Sequence, residues 1–318
     1  MKKIICIIIF VFGVSLGYTK DPELYLFLDG DSVKEHLNDI NHPQVKGVQI
    51  IYSWRKLEPS KDNYNFSDIE SDYKELSKLN KKLFIQLQDK TFEINRIPVP
   101  DYLRTKEYDY GIQEQVDFAG EGQPIGAGWV TKQWNTKVRE RFQKLIYQLG
   151  KKFNGKVEGI NLPETSVDIE EKYITEDFCS TYVDSVISNI KAVKKAFPDS
   201  YIVQYINFLP CEWNNDHGYM EKIFNMALES NIGVGNPDTV PYRKGQMKNS
   251  YPFFNKYKSK LDIVTIAVQE PDYTYTNPKT NRKFTVKELY NFNKDYIGAN
   301  IIFWNIKKPQ FDEVLEIF

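Results

Sequence analysis

VKGVQIIYSWRKLEPSKDNYNFSDIESDYKELSKLNKKLFIQLQ, residues 45–88, decides how the rest of the chain is read. It begins and ends with a short apolar run, VKGVQIIYS and KLFIQLQ, each of the length and character of a buried strand. Between them a helical pattern begins near Asp68. A strand, a helix and a second strand make one unit of an alternating fold. The same rhythm continues in both directions. Further strand candidates are LYLFLDG, VEGINL, YIVQYINF, IGVGN, LDIVTIAVQ and ANIIFW. The clearest helix is VRERFQKLIYQLGKKF, which puts Val138, Phe142, Leu145, Ile146, Leu149 and Phe153 on one face. Other helices are expected from near Thr175, Gly218, Tyr251, Thr285 and Phe311. Eight strands, each followed by a helix, predict an α/β fold, a single (β/α)8 TIM barrel. An open doubly wound sheet is the alternative, but no Gly-rich phosphate loop follows any strand. No cofactor is expected.

A chain of 318 residues with 41% apolar and 27% charged residues suits one large globular domain. Its formal net charge of −1 suggests neither a nucleic-acid partner nor an acidic membrane surface. The N-terminus, MKKIICIIIFVFGVSLGYTK, reads as a secretory signal peptide over residues 1–17, with an uncleaved anchor as the alternative. The barrel domain then occupies residues 18–318, and the mature protein is expected to be exported, periplasmic or secreted, with no membrane contact after cleavage. GVSLG inside the signal matches a G-x-S-x-G nucleophile pattern without the strand and helix that pattern needs. Cys179 and Cys211 form a candidate disulfide in an oxidising compartment, with two separate buried thiols as the alternative. Three histidines without ligand spacing argue against a histidine metal site or a Ser-His-Asp triad. No metal is expected; a hydrolase holding a metal between Asp89, Asp238 and other carboxylates would lack the usual histidines.

Barrels of this kind carry their chemistry at the C-terminal ends of the strands. All five tryptophans can be placed there, and Trp129, Trp134 and Trp304 are candidate faces for stacking on sugar rings. Strand alternation puts Gln86, Gln88, Asn161, Tyr205 and Asn207 in the interior. In strand seven, Val264, Ile266 and Val268 suit the helix side, leaving Thr265, Ala267 and Gln269 inside. Amides both donate and accept, and match vicinal hydroxyls. Arg55 and Asp238 complete the candidate binding set. The long stretch from about residue 89 to 135 is expected to build part of the site.

Residues 47–88 resemble the second βα unit and third strand of glycoside hydrolase clan A, especially the family 42 β-galactosidase barrel. The likeness lies in an apolar strand ending in Trp54, the turn Leu57-Glu58-Pro59, and the segment Tyr64-Asn65-Phe66 before a helix. Elsewhere it rests on the strand–helix rhythm and on Trp304 in strand eight. NLPET and GNPDTVPYR also resemble stretches of uncharacterised bacterial barrels. The resemblance implies a retaining mechanism with an acid/base after strand four and a nucleophile at the end of strand seven. Those positions are Glu164 and Glu270, and Glu58 is implied to be structural. The clan's strand-four Glu directly follows an Asn, whereas Leu162 and Pro163 separate Asn161 from Glu164 here. Strand parity also offers Gln269 in place of Glu270. The expected function is therefore an exported retaining glycoside hydrolase acting on an oligosaccharide or glycoside. A barrel that binds saccharide without cleaving it is the alternative.

Overall fold

The computed structural model describes residues 21–116 and 128–318. The expected signal peptide, residues 1–17, lies outside the described residues. Eight parallel strands close into a barrel: β1 Glu23–Phe27, β2 Val45–Ser53, β3 Lys82–Gln88, β4 Gly159–Leu162, β5 Tyr201–Tyr205, β6 Gly233–Asn236, β7 Val264–Val268 and β8 Ile301–Asn305. Neighbours follow chain order, and β1 pairs with β8 to close the ring. The expectation of a single (β/α)8 barrel is met. The helices that cover it include α1 Leu37–Ile40, α2 Ser67–Lys78, α3 Thr136–Phe153, α4 Glu176–Ala196, α5 Tyr219–Ser230, α6 Tyr251–Tyr257, α7 Val286–Asn291 and α8 Gln310–Ile317.

Period-two alternation sorts each strand into two cores. Val264, Ile266 and Val268 join the large cluster between sheet and helices, while Ala267 joins a smaller cluster on the barrel axis. That inner cluster is aromatic. Tyr25, Phe84 and Phe303 meet edge to face, with centroids 5.2–5.8 Å apart. Rings of this size fit because facing positions lack side chains. A Cβ on Gly159 would lie 2.2 Å from the Phe84 ring, and one on Gly235 would lie 2.7 Å from the Tyr205 ring. The lower barrel is thus filled by side chains, as barrels of eight strands generally are.

α3 forms where the apolar spacing places it, and Asn135 caps it by accepting from the Lys137 and Val138 amides. The connection between β3 and α3 folds as a lip with its own small antiparallel sheet: Lys90–Thr91, Ile112–Gln115 and Gly128–Thr131. Glu58, fully buried, ties this lip down. It accepts from Trp54 Nε1 at 2.9 Å and Tyr102 Oη at 3.0 Å, and it pairs with Arg141 of α3. With the Asp62 amide, which donates to it at 3.0 Å, four partners compensate the desolvation of one buried carboxylate. Arg55 adds a two-pronged contact to Asp101, at 2.6 and 2.8 Å. Cys179 in α4 is disulfide-bonded to Cys211 after β5, with Cα atoms 6.0 Å apart.

Candidate functional site

A cleft of about 600 Å³ opens at the C-terminal ends of the strands. Among the expected site residues, Arg55, Gln86, Gln88, Glu164, Tyr205, Gln269 and Glu270 all line it. Gln86 and Tyr205 form part of its floor, where Tyr205 and Gln49 exchange hydrogen bonds of 2.7 and 3.1 Å. Asn161 lies beside Gln86 in register and is fully buried, with both amide atoms lacking a partner among the described residues. Asn207 stands behind the wall, holding Glu164.

The turn after β4 is fixed almost entirely by side chains. Gln204 Nε2 donates to Pro163 O at 2.7 Å, and Lys90 Nζ donates to the carbonyls of Glu164 and Ser166 at 2.7 and 2.6 Å. Tyr182 Oη donates to Thr165 O at 2.8 Å, and Asn207 Oδ1 accepts from the Ser166 amide at 2.9 Å. Asn207 Nδ2 donates to Glu164 Oε2. These bonds hold Glu164 half-buried at the cleft wall despite its two-residue offset from Asn161. Burial pushes its carboxyl pKa up; the Lys90 charge and the Asn207 hydrogen bond oppose the rise, and the charge of Asp89 adds to it. This is a carboxyl that keeps its proton further toward neutral pH than an ordinary glutamate.

The β7 side is arranged differently. Gln269 holds the inward position and donates from Nε2 to Pro237 O at 2.9 Å. Glu270 begins the short helical turn Glu270–Thr274 on the rim. Its side chain is 56% exposed and paired with Lys307 at 3.0 Å. Asp238, just beyond β6, does not line the cleft, yet burial first and the Glu164 charge second push its pKa up to about 7, with Arg243 opposing. Asp272 behind it is raised as well, by burial and then by Asp238.

None of the five tryptophans lines the cleft. Trp304 alternates with the inward Phe303 and Asn305, so it faces the helices and is fully buried. Trp134 packs on Phe178 and Tyr182, with centroids 5.0 and 6.3 Å away. Trp129 sits on the lip sheet and donates to Ile94 O at 2.8 Å. The exposed aromatic face in the cleft is Phe92, 38% exposed, beside Phe27. Sequence reading also passed over Lys90, a lysine only 2% exposed, and Asp29, whose pKa burial raises. Asp29 lies two residues past the end of β1 and could have been found by the strand-end rule; Lys90 could not, because its partners lie 74 and 76 residues away.

No protein-family model matches this chain, and no curated protein matches it in sequence. Similarity is found among solved structures. The catalytic domain of a β-amylase from Paenibacillus polymyxa has a TM-score of 0.62 at 10% identity, covering 93% of this chain and 98% of that one. A β-galactosidase from Bacillus circulans sp. alkalophilus has 0.59 at 11% identity, covering 91% of this chain and 51% of that one. Native xylanase 10B from Thermotoga maritima has 0.51 at 12% identity, covering 88% and 82%. At such identities the likeness is one of fold, and the fold these three share with this chain is the closed barrel of eight parallel strands.

Proposed function

We propose that this protein is an exported glycoside hydrolase whose barrel mouth cleaves an oligosaccharide or glycoside with Glu164 as general acid. The observation that carries the reading is Glu164 itself: a half-buried carboxyl of raised pKa on the wall of a cleft floored by amides and a tyrosine. A proton held toward neutral pH is what a glycosidic oxygen needs when its bond to the anomeric carbon breaks. Gln86, Gln88 and Gln269 bind sugar hydroxyls in this reading, and Phe92 offers the stacking face. Glu270, across the mouth, is the proposed nucleophile of a retaining mechanism. It attacks the anomeric carbon as Glu164 protonates the leaving oxygen, and Glu164 then takes a proton from the water that releases the sugar. Saccharide-cleaving barrels of the same shape make carbohydrate the first substrate class to test. Export draws support from the lysine-led apolar N-terminus and from the Cys179–Cys211 bond.

One observation favours a second reading, a barrel that binds saccharide without cleaving it. Gln269 occupies the inward strand-seven position, and the Glu270 carboxylate is engaged by Lys307. A panel of aryl glycosides and plant and bacterial oligosaccharides separates the two. Turnover that disappears in Glu164→Gln, with the product anomer read by NMR, supports hydrolysis. Calorimetric binding without turnover by the wild type supports the second reading. Neither binding nor turnover across the panel overturns both.

A further inference from the structure

Behind the Glu164 wall lies a second, much smaller cavity of about 30 Å³. It is lined by Asp89, Lys90, Gln133, Glu164, Tyr182 and Val186, among others. Lys90 and Glu164 also line the large cleft, so these two residues form the partition between the spaces.

Asp89 is the unusual member. It is 3% exposed, and only one of its carboxyl oxygens is satisfied: Oδ2 accepts from Gln133 Nε2 at 2.7 Å. Gln133 is oriented for this by Asn189 Nδ2, which donates to its Oε1 at 3.1 Å. Asp89 Oδ1 is buried with no hydrogen-bond partner among the described residues. A bare carboxylate oxygen inside protein is costly, and such groups are ordinarily met by water. The cavity has room, since about 10–15 Å³ suffices for one water. The Lys90 ammonium in the same wall disfavours a metal cation there.

We propose that this cavity holds an ordered water bound to Asp89 Oδ1, and that Asp89 acts across it as a positioning residue for the Glu164 carboxyl. The inference rests on the reading of Glu164 as the acid. Burial raises the pKa of Asp89 as well, with the Lys90 charge and the Gln133 hydrogen bond opposing it. Once Asp89 ionises, its charge on the far side of the partition makes ionising Glu164 harder, which keeps the proton on the residue that faces the cleft. The other charged or titratable groups around the pair are Lys90 on the Asp89 segment, Tyr182 and Asp168 beside the β4 turn, and Asp238 beyond β6. Lys90 pulls both carboxyls toward ionisation; at Glu164 burial opposes it first, and the Asp89 charge adds to that opposition.

The test is a high-resolution structure together with infrared titration of the protonated carboxyl bands, assigned with Glu164→Gln and Asp89→Asn. The map should show a water on Asp89 Oδ1, and the wild-type spectra should show Asp89 ionising at lower pH than Glu164. Asp89→Asn should move the Glu164 midpoint to lower pH. Should that variant misfold, Val186→Ile adds one methyl group to the cavity, displaces the water and should move the Asp89 midpoint up. A dry cavity, a reversed order of ionisation, or a Glu164 midpoint unmoved in a folded Asp89→Asn protein overturns the proposal. No substrate is needed, so these results stand apart from any failure to find hydrolysis.

Discussion

The two corners of the barrel mouth that carry the candidate carboxylates are built to opposite rules. At β4, Glu164 sits on a turn tied by Gln204, Lys90, Tyr182 and Asn207, half-buried, with its pKa raised. At β7, Glu270 rides a rim turn in solvent, and Lys307, its ion-pair partner among the described residues, is as exposed as it is. The lesson is that a position inherited from strand order does not carry its chemistry with it. The surroundings supply the chemistry, and here they have been built around one carboxylate and not around the other.

The largest effect should come from Glu164→Gln. If the β4 corner supplies the acid, kcat/KM on an unactivated glycoside should fall by about 10³-fold, the usual worth of a positioned acid, with binding unchanged by calorimetry. Glu270→Gln run beside it sharpens the comparison. A comparable loss makes the corners partners in retention, whereas full turnover in that variant would falsify Glu270 as nucleophile.

Next in size is the disulfide that braces the β4 side, closing a loop of 32 residues between α4 and the segment after β5. Replacing both cysteines with serine should lower unfolding stability by about 3 kcal/mol in urea titrations. An effect near zero would mean that the corner holds its shape through the side-chain bonds alone.

The third test uses pH. Asp238 has a folded-state pKa of about 7, above the ordinary carboxylate range, so the folded state holds a proton that the unfolded chain releases. That contribution is complete below the unfolded value near 4 and is lost as pH rises through about 7. Tm should therefore fall between mildly acidic and mildly alkaline buffer, and Asp238→Asn should flatten the decline. A wild-type Tm that rises over this interval would contradict the sign.

The smallest effect belongs to the β7 rim. Lys307→Met should change stability by less than about 1 kcal/mol, because both members of its pair are more than half exposed. A large loss would show that this corner is more tightly organised than its exposure suggests.

The barrel could be read from the sequence because strand and helix periods are local. Alternation within LDIVTIAVQ was enough to place Ala267 inside and Ile266 outside, and Gln86 and Tyr205 followed by the same rule. That rule, applied to ANIIFW, would also have turned Trp304 toward the helices; grouping tryptophans by their place at strand ends overrode it. What stayed hidden depends on contacts distant in sequence. Lys90 matters through carbonyls 74 and 76 residues away, and Asp89 through a cavity shared with a helix and a turn it precedes by more than sixty residues. The Phe92 face was equally invisible, because nothing local marks which exposed aromatic of the lip, Phe92 or Tyr110, lines the cleft.

The rings packed against missing side chains at Gly159 and Gly235 have a further consequence. Tyr205 closes the barrel at the floor of the cleft and Phe84 fills it beneath, so the site is a cup and not a pipe. Anything admitted at the rim must leave by the rim, and a long polymer could not be threaded through the molecule. Chain ends, short oligomers, or a strand laid across the opening are the shapes this vessel can take.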